Sequence, residues 1–323
     1  MLYPLKFKPI LKQTIWGGDK LAYKSNDPKV KESIGESWEI SGVQDNISVV
    51  SEGALEGNSL QELTEIYMGD LVGDKIYEKF GIEFPLLIKY IDARDNLSIQ
   101  VHPDDATAKA RHNAYGKTEM WYILDCNVGA YLYYGFKKDI TKQEYQDAIR
   151  SNTITDVLNK VPVHKGDVFF IPAGTVHAIG AGILICEIQQ NSNTTYRVYD
   201  YGRVGKDGKL RELHIEKALA VTKLEPPTRK PEPIAKLTAF ADYDLTILAQ
   251  CELFNVSHFD LHGNCSLNAK KDSFHSILVL DGQIALTYGS DSFTITKGES
   301  VFIPADMGEY ILNGTGEFIL TTL

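Results

Sequence analysis

Two histidines, one glutamate and one glutamine stand where strands would direct them into a single interior. In "LSIQVHPDD", Gln100 and His102 are two residues apart, so an extended strand places both on one face. Glu119 lies in the next strand-like segment, "GKTEMWYIL", and His177 ends "GDVFFIPAGTVH". Two imidazoles with one carboxylate suit Zn²⁺ with an open coordination position, and the Gln100 amide oxygen can serve as a weak fourth ligand. The sequence therefore predicts one zinc ion per chain at these four residues.

The segment that carries His177 is repeated later in the chain without its histidine. "KGDVFFIPAGTVHAI" begins at Lys165, "KGESVFIPADMGEYI" begins at Lys297, and Glu309 occupies the position of His177. The residues common to both copies are those that form a turn and a buried strand. We therefore expect one β-fold used twice, with the metal chemistry in the first copy.

Most of the chain consists of short runs of β-branched and aromatic residues bounded by Gly, Asn and Asp, which predicts a mainly β protein. Helices are predicted in three places: Ser59 to Phe80, Thr141 to Asn159 and Glu212 to Leu224. The first two open with the capping-box spacing of Ser or Thr followed three residues later by Glu.

The repeated phrase resembles the second motif of the cupin jelly roll, in which a histidine after the turn points into the barrel. The predicted fold is therefore two cupin-type jelly-roll β-barrels with helical insertions in the N-terminal half. We expect a catalytic domain over 1–224, with insertions at about 58–80 and 139–160. A proline-rich linker over 225–236 and a second, metal-free domain over 237–323 follow.

Composition excludes several classes of partner. The formal net charge is −10 and no segment is strongly basic, so no nucleic-acid partner is expected. The N-terminus lacks an apolar signal core and no 18 apolar residues run together, which predicts neither export nor a membrane partner. The four cysteines show no CxxC pairing and are expected as buried thiols of a cytoplasmic protein. Oligomeric state leaves no sign in the sequence.

An ordered set of motifs resembles the type I mannose-6-phosphate isomerases of the short bacterial kind, which are zinc-dependent cupin enzymes. The resemblance implies interconversion of mannose 6-phosphate and fructose 6-phosphate through a cis-enediol, with a phosphosugar as the small-molecule partner. The motifs that carry it are "IWGG", "GESWEIS", "FPLLIKYIDARDNLSIQVHPDD", "GKTEMWYIL", "GDVFFIPAGTVHAI" and "QQNSNTTYRVYDYGR".

The resemblance also implies roles for individual residues. Zinc would be held by His102, Glu119, His177 and Gln100. The resemblance further implies Arg197 as the active-site arginine and places Lys89, Ser98 and Lys117 along the substrate pocket. From the residues themselves we expect Lys117 to act in catalysis and Trp16 to form part of the substrate-binding wall. One departure is visible, because this chain has Asn193 where many relatives have aspartate.

The residues alone leave some alternatives open. The catalytic base could be a zinc-bound water, Lys117 or Glu187. Arg197 suits a phosphate, an enediolate oxygen or a surface ion pair. Lys89 lies in an apolar run and needs a phosphate or carboxylate partner unless it reaches solvent at a strand end. Rival functions are a non-catalytic metal- or sugar-binding cupin and an iron-dependent cupin dioxygenase.

Overall fold

The fold is mainly β in a computed structural model that describes residues 2–25, 27, 33–205 and 208–323. The strands of its first half are β1 (Ile10–Gly18), β2 (Ile34–Ser41), β3 (Leu86–Ala93), β4 (Ile99–Val101), β5 (Glu119–Cys126), β6 (Tyr131–Phe136), β7 (Leu158–Pro162), β8 (Val168–Ile171), β9 (His177–Ile179), β10 (Ile183–Gln190) and β11 (Tyr196–Tyr199). Those of its second half are β12 (Thr238–Ala239), β13 (Tyr243–Gln250), β14 (Asn255–Leu261), β15 (Asn264–Ala269), β16 (His275–Tyr288), β17 (Asp291–Thr296), β18 (Ser300–Ile303) and β19 (Gly308–Thr322). The helices are α1 (Leu60–Tyr67), α2 (Gly69–Val72), α3 (Asp74–Phe80), α4 (Asp105–His112), α5 (Lys142–Arg150), α6 (Ile154–Val157) and α7 (Ile215–Val221), and Ala22–Lys24 forms one 3-10 turn.

The chain divides into two compact units, each built from separate stretches of sequence. The first unit comprises residues 11–38 and 86–231, and the second comprises residues 1–10, 39–85 and 232–323. This division differs from the boundaries expected from sequence, which placed residues 1–10 and 39–85 in the first domain and ended that domain at 224.

Hydrogen bonds within the second unit explain this difference. Leu5 exchanges backbone hydrogen bonds of 2.8 Å with Phe302, so the N-terminal residues join the strands of the second copy. The carbonyl of Leu71 accepts the N–H of Ala305 at 3.0 Å, which ties α2 to the turn after β18. The helical segment from 59 to 80 therefore belongs to the second unit, although it precedes most of the first in sequence.

Two sheets build the first unit. One has the strand order β1-β2-β3-β10-β5-β8 and the other has the order β11-β4-β9-β6-β7. Apolar side chains from both sheets share one buried cluster, represented by Trp121 and Ile185 of the larger sheet and Leu132 of the smaller. This two-sheet arrangement is that of a jelly roll, and the second unit adds its own sheet of strands β12 to β19. The predicted fold class is confirmed.

The two copies of the repeated phrase make the same backbone connections. In the first, Ile123 accepts the N–H of Gly166 at 2.9 Å and donates its own N–H to Asp167 at 3.0 Å. In the second, Val279 makes the corresponding bonds to Gly298, at 2.8 Å, and to Glu299, at 3.0 Å. The Lys-Gly-acidic turn that both copies share thus connects equivalent strand pairs, β5 with β8 in the first copy and β16 with β18 in the second.

The predicted helices form, but in shorter pieces. Ser59 and Thr141 make the capping boxes expected of them. The first predicted helix is broken into α1, α2 and α3 at Met68, with φ of 50°, and at Gly73, with φ of 106°. Helix α4 was missed, although Asp104 caps it by accepting the N–H of Thr107 at 2.8 Å. No helix among the described residues is both long and apolar enough to cross a bilayer.

His275 should make the stability of the second unit depend on pH. Burial lowers the pKa of this histidine to about 4, and its neutral ring contacts the Tyr310 hydroxyl at 2.7 Å. In the unfolded chain its pKa is about 6.5. As pH falls from 7 to 5, the unfolded chain therefore takes up a proton that the folded unit excludes, and the unfolding free energy should drop by about 2 kcal/mol.

Hydrogen exchange of the β16 and β19 amides, corrected for intrinsic rates, measures this opening free energy locally. The His275→Gln variant should lack the extra loss on acidification, because glutamine does not titrate. An equal pH dependence in both proteins would show that His275 is not the group responsible.

Candidate metal centre and active-site pocket

The predicted metal ligands are positioned by two neighbouring strands of one sheet and by the start of a strand in the other sheet. Gln100 of β4 is directly paired with His177 of β9, so both side chains lie on one face of the smaller sheet. His102 follows β4 immediately, and Glu119 is the first residue of β5 in the larger sheet. The ligands therefore come from both sheets and meet between them.

The ligand atoms of His102, Glu119 and His177 lie within 4.8 Å of one another, and all three side chains are buried. Nδ1 of His102 lies 2.9 Å from the Thr194 carbonyl, and Nδ1 of His177 lies 2.9 Å from the Thr175 carbonyl. A carbonyl oxygen only accepts, so each Nδ1 carries the proton and each Nε2 presents its lone pair to the cluster. These backbone carbonyls are the outer acceptors that the sequence did not reveal.

The donor atoms of this cluster face one another at short distances. Nε2 of His177 lies 3.1 Å from one oxygen of Glu119, and Nε2 of His102 lies 3.7 Å from the other. With each Nδ1 protonated, a neutral ring presents an Nε2 lone pair. Nζ of Lys117 lies 3.3 Å from Nε2 of His102, and the Gln100 amide lies 3.4 Å from Nε2 of His177. A divalent cation bound between the two rings and the carboxylate would be attracted by all three groups. Two neutral imidazoles and a carboxylate fit Zn²⁺ or a similar divalent ion.

Protonation states in the cluster agree with that interpretation. Burial, reinforced by the Lys117 ammonium, holds the pKa of His102 well below its usual value. Burial alone would raise the pKa of Glu119, but the Lys117 ammonium and the two imidazoles hold it well below its usual value. The site thus presents a neutral His102 imidazole and an ionised carboxylate, the forms in which these groups bind a metal.

The fourth predicted ligand, Gln100, lies beside the cluster. Its Nε2 is 3.4 Å from Nε2 of His177. Because the two ends of the amide have the same shape, a half-turn of the group presents its oxygen at that position instead.

A chain of alternating charges leads away from the cluster. Nζ of Lys117 lies 3.2 Å from Glu119 and 3.9 Å from Glu187. Nζ of Lys89 lies 3.3 Å from Glu187 and 3.1 Å from Glu36. These five side chains run as carboxylate, ammonium, carboxylate, ammonium, carboxylate, so neither buried lysine lacks an anionic partner.

Two tryptophans hold in place the two carboxylates of this charge network that lie beyond Glu119. The indole N–H of Trp121 donates to Glu187 at 3.0 Å, and that of Trp38 donates to Glu36 at 2.7 Å. Although burial lowers the pKa of Lys89, the neighbouring Glu187 and Glu36 carboxylates raise it above its usual value. Lys89 is therefore a firmly charged member of the network.

One cavity of about 540 Å³ joins most of these groups. Its lining includes every predicted site residue outside the buried triad, namely Trp16, Lys89, Ser98, Gln100, Lys117 and Arg197. It also includes polar residues that the prediction did not assign to the site or left only as candidates, among them Glu36, Glu187, Asn193 and Arg211. A pocket with many convergent polar groups beside a metal cluster is typical of an active site.

Arg197 extends the row of paired residues that begins at the cluster. Register pairs His177 with Gln100 and Gln100 with Arg197, so Arg197 lies two strand spacings, about 10 Å, from the β9 backbone. Its Nε donates to the Ser98 hydroxyl at 3.3 Å and its Nη1 donates to the Glu212 carbonyl at 2.8 Å. Both acceptors are uncharged, so the guanidinium is oriented without being neutralised.

Comparisons with known proteins point to a single family. The family model "Phosphomannose isomerase type I, catalytic domain" matches residues 4–129, and the model "Mannose-6-phosphate isomerase, cupin domain" matches residues 244–323. Mannose-6-phosphate isomerase ManA of Bacillus subtilis is 40% identical over 325 residues, which cover 99% of each chain. The chain belongs to the type I mannose-6-phosphate isomerase family.

Other members of the isomerase family agree in length and in fold. Mannose-6-phosphate isomerase of Streptococcus mutans is 34% identical, covering 99% of this chain and 98% of its own. The crystal structure of the mannose 6-phosphate isomerase from Bacillus subtilis superimposes with a TM-score of 0.90 at 33% identity and covers both chains completely. The resemblance seen in the sequence motifs is thereby confirmed.

Within this isomerase fold, some residues acquire partners that sequence reasoning did not assign. Glu36 stands in the quoted motif "GESWEIS", yet only the tertiary structure reveals that it pairs with Lys89. Arg211 carries no motif signal and was missed. Asn193 also lines the cavity.

His177→Ala should abolish stoichiometric metal binding, because it removes a lone pair from a buried three-residue cluster. Glu309→Ala, at the matching position of the second copy, should retain the metal, since Glu309 is exposed on β19. Metal content by mass spectrometry after dialysis against trace zinc gives the comparison. Loss of the metal from the Glu309 variant would contradict the assignment of the two copies.

Proposed function

We propose that this protein interconverts mannose 6-phosphate and fructose 6-phosphate through a cis-enediol, with zinc held by His102, Glu119 and His177. The observation that carries the proposal is the shared cavity, which places a buried metal-type cluster beside two lysines and an arginine in a fold of this isomerase family. Relatives at 34–40% identity are named mannose-6-phosphate isomerases, which supports mannose 6-phosphate as a substrate.

Aldose–ketose isomerisation moves a proton between C1 and C2 of the open-chain sugar, and negative charge develops on the oxygens of these carbons. Zinc, when bound, supplies electrostatic stabilisation of that charge and helps to orient the hydroxyls. Gln100 serves as the additional ligand in this proposal because its amide lies against His177.

Lys117 and Glu187 stand closest to the proton-transfer step. Both line the cavity, and Lys117 lies within 3.3 Å of both Glu119 and His102. Either group can hold a proton at hydrogen-bond distance from a sugar hydroxyl in this cavity. Buried Trp121 and Lys89 fix Glu187, so its carboxylate is oriented before substrate arrives.

Arg197 is the proposed electrophile of the protein itself. Ser98 and the Glu212 carbonyl orient its fork, and the remaining N–H groups are available to an oxygen in the cavity. A fixed guanidinium stabilises developing charge without reorganisation during the reaction. Trp16, Ser98 and Lys89 complete the proposed substrate-binding wall.

A coupled assay tests the proposed activity. Purified, metal-analysed protein should convert mannose 6-phosphate to fructose 6-phosphate, detected through a dye-forming coupling reaction. Chelation should abolish turnover, and zinc should restore it. Fully zinc-loaded protein without turnover would refute the isomerase proposal, and full turnover by metal-free protein would refute the role of zinc.

Arg197→Gln should lower kcat by about 100-fold, the effect typical of losing an oriented transition-state donor. Zinc content should stay unchanged because Arg197 is not among the ligands. Arg150→Gln, a matched charge loss at an exposed position of α5, should keep the wild-type kcat. Steady-state kinetics on the three proteins gives the comparison, and a kcat within twofold of wild type for the Arg197 variant would exclude the proposed role.

A further inference from the structure

The cations of the cavity differ in how well they are neutralised. Lys89 contacts two carboxylates and Lys117 contacts Glu119 at 3.2 Å, so both lysines belong to the alternating chain of charges beside the cluster. Arg197 has no carboxylate partner within the part of the chain that the structure describes. A dianionic ligand is attracted where positive charge is least compensated, which is the arginine side of the cavity.

Two arginines hold one buried carboxylate on that side, and Arg197 lies near one of them. Arg203 and Arg211 both donate to Oδ1 of Asp200, the latter at 3.2 Å. The pKa of Arg197 lies below its usual value, firstly because of burial and secondly because the Arg211 guanidinium is near. Asp200 is thus paired with two guanidinium groups, and the nearby Glu212 side chain is 82% exposed, where water screens it.

Neutralising Asp200 does not require Arg211. Arg203 already pairs with this carboxylate and also donates to the Asn96 carbonyl. Arg203 is absent from the cavity lining, whereas Arg211 is part of it. Asp200 therefore holds Arg211 at the cavity wall, with one guanidinium edge tethered and the rest of the fork available for hydrogen bonds.

The position of Arg211 along the sheet assigns it a different substrate group from Arg197. The order from the cluster outwards is β9, β4 and β11, and the segment before α7 continues beyond β11 because His214 donates its N–H to the Arg197 carbonyl at 2.7 Å. Arg211 belongs to this outermost segment. Its backbone therefore continues the sheet beyond β11, on the side away from β9, as C6 of an extended hexose lies far from C1 and C2.

From this geometry we propose that Arg211 is the phosphate-recognising residue of the active site and that Asp200 is its positioning residue. The inference rests on the proposed function, since it assumes that a hexose phosphate occupies the cavity with its reacting carbons at the metal. The guanidinium fork matches the phosphate oxygens in a bidentate contact. Arg211 selects phosphorylated over free sugar, while Arg197 remains beside the reacting carbons.

Binding of inorganic phosphate tests this assignment without any need for turnover. Arg211→Gln in the zinc-loaded protein should weaken phosphate binding, measured by calorimetry, at least tenfold, as expected for a lost charge-assisted hydrogen bond. Lys209→Gln is the matched control, because Lys209 carries the same charge on the same segment but is exposed and outside the cavity lining. Equal phosphate affinity in wild type and Arg211→Gln would overturn the proposal.

Kinetics separates phosphate recognition from a merely structural role. Arg211→Gln should raise the KM for mannose 6-phosphate at least tenfold with kcat within threefold, whereas a distorted site would lower kcat as well. Asp200→Asn should raise KM in the same direction, and the double variant should be no worse than Arg211→Gln alone, because the two residues act as one unit. Fully additive effects, or a loss confined to kcat, would overturn the assignment.

Arg211→Lys keeps the charge and removes the fork, so it provides the test if the glutamine variant does not fold. It should bind phosphate at least threefold more weakly than wild type with normal zinc content, and unchanged binding would overturn the proposal. A wild-type protein that binds phosphate through Arg211 but shows no turnover would refute the proposed function and leave this assignment standing.

Discussion

The convergence of lone pairs between the two sheets of the first unit is the constraint on which the site depends. Two Nε2 atoms and a buried carboxylate face one another within 4.8 Å, and the Lys117 ammonium contacts the carboxylate and His102. The backbone carbonyls of Thr194 and Thr175 hold the two rings in this orientation by accepting a hydrogen bond from each Nδ1. The loop that follows β10 and the turn before β9 therefore help to orient the candidate metal ligands.

The same charge requirement extends outward along the cavity. The buried Glu119 carboxylate forms an ion pair with Lys117, which also lies near Glu187. Lys89 then pairs with both Glu187 and Glu36, so opposite charges alternate along the cavity. Burial makes each of these charges costly alone, so each is paired. The sequence left open whether Lys89 has a phosphate or carboxylate partner or reaches solvent at a strand end, and the structure supplies two carboxylates.

The two copies of the repeated phrase agree in the turn that the fold requires and differ in the residues at the positions of the candidate metal ligands. Both copies keep the turn that hydrogen-bonds across the strand pair, because this turn closes the sheet in each unit. In the first copy Ile171 is paired with Glu119, and in the second the matching Ile303 is paired with His275. The second copy thus carries His275 and Glu309 where the first carries Glu119 and His177, and His275 contacts Tyr310 instead of a ligand cluster.

The sequence by itself determined the β-rich class, the repeated turn, the two capping boxes and the family, because these depend on local patterns of two to twenty residues. It also predicted His102, Glu119, His177 and Gln100 as metal ligands from strand parity and motif spacing, which are local properties, and the structure brings His102, Glu119 and His177 together. Only the tertiary structure decided that residues 39–85 join the second unit, and that Glu36 and Arg211 line the cavity. Such contacts join residues far apart in the chain, so they depend on how the sheets and segments pack and not on any periodicity within one segment.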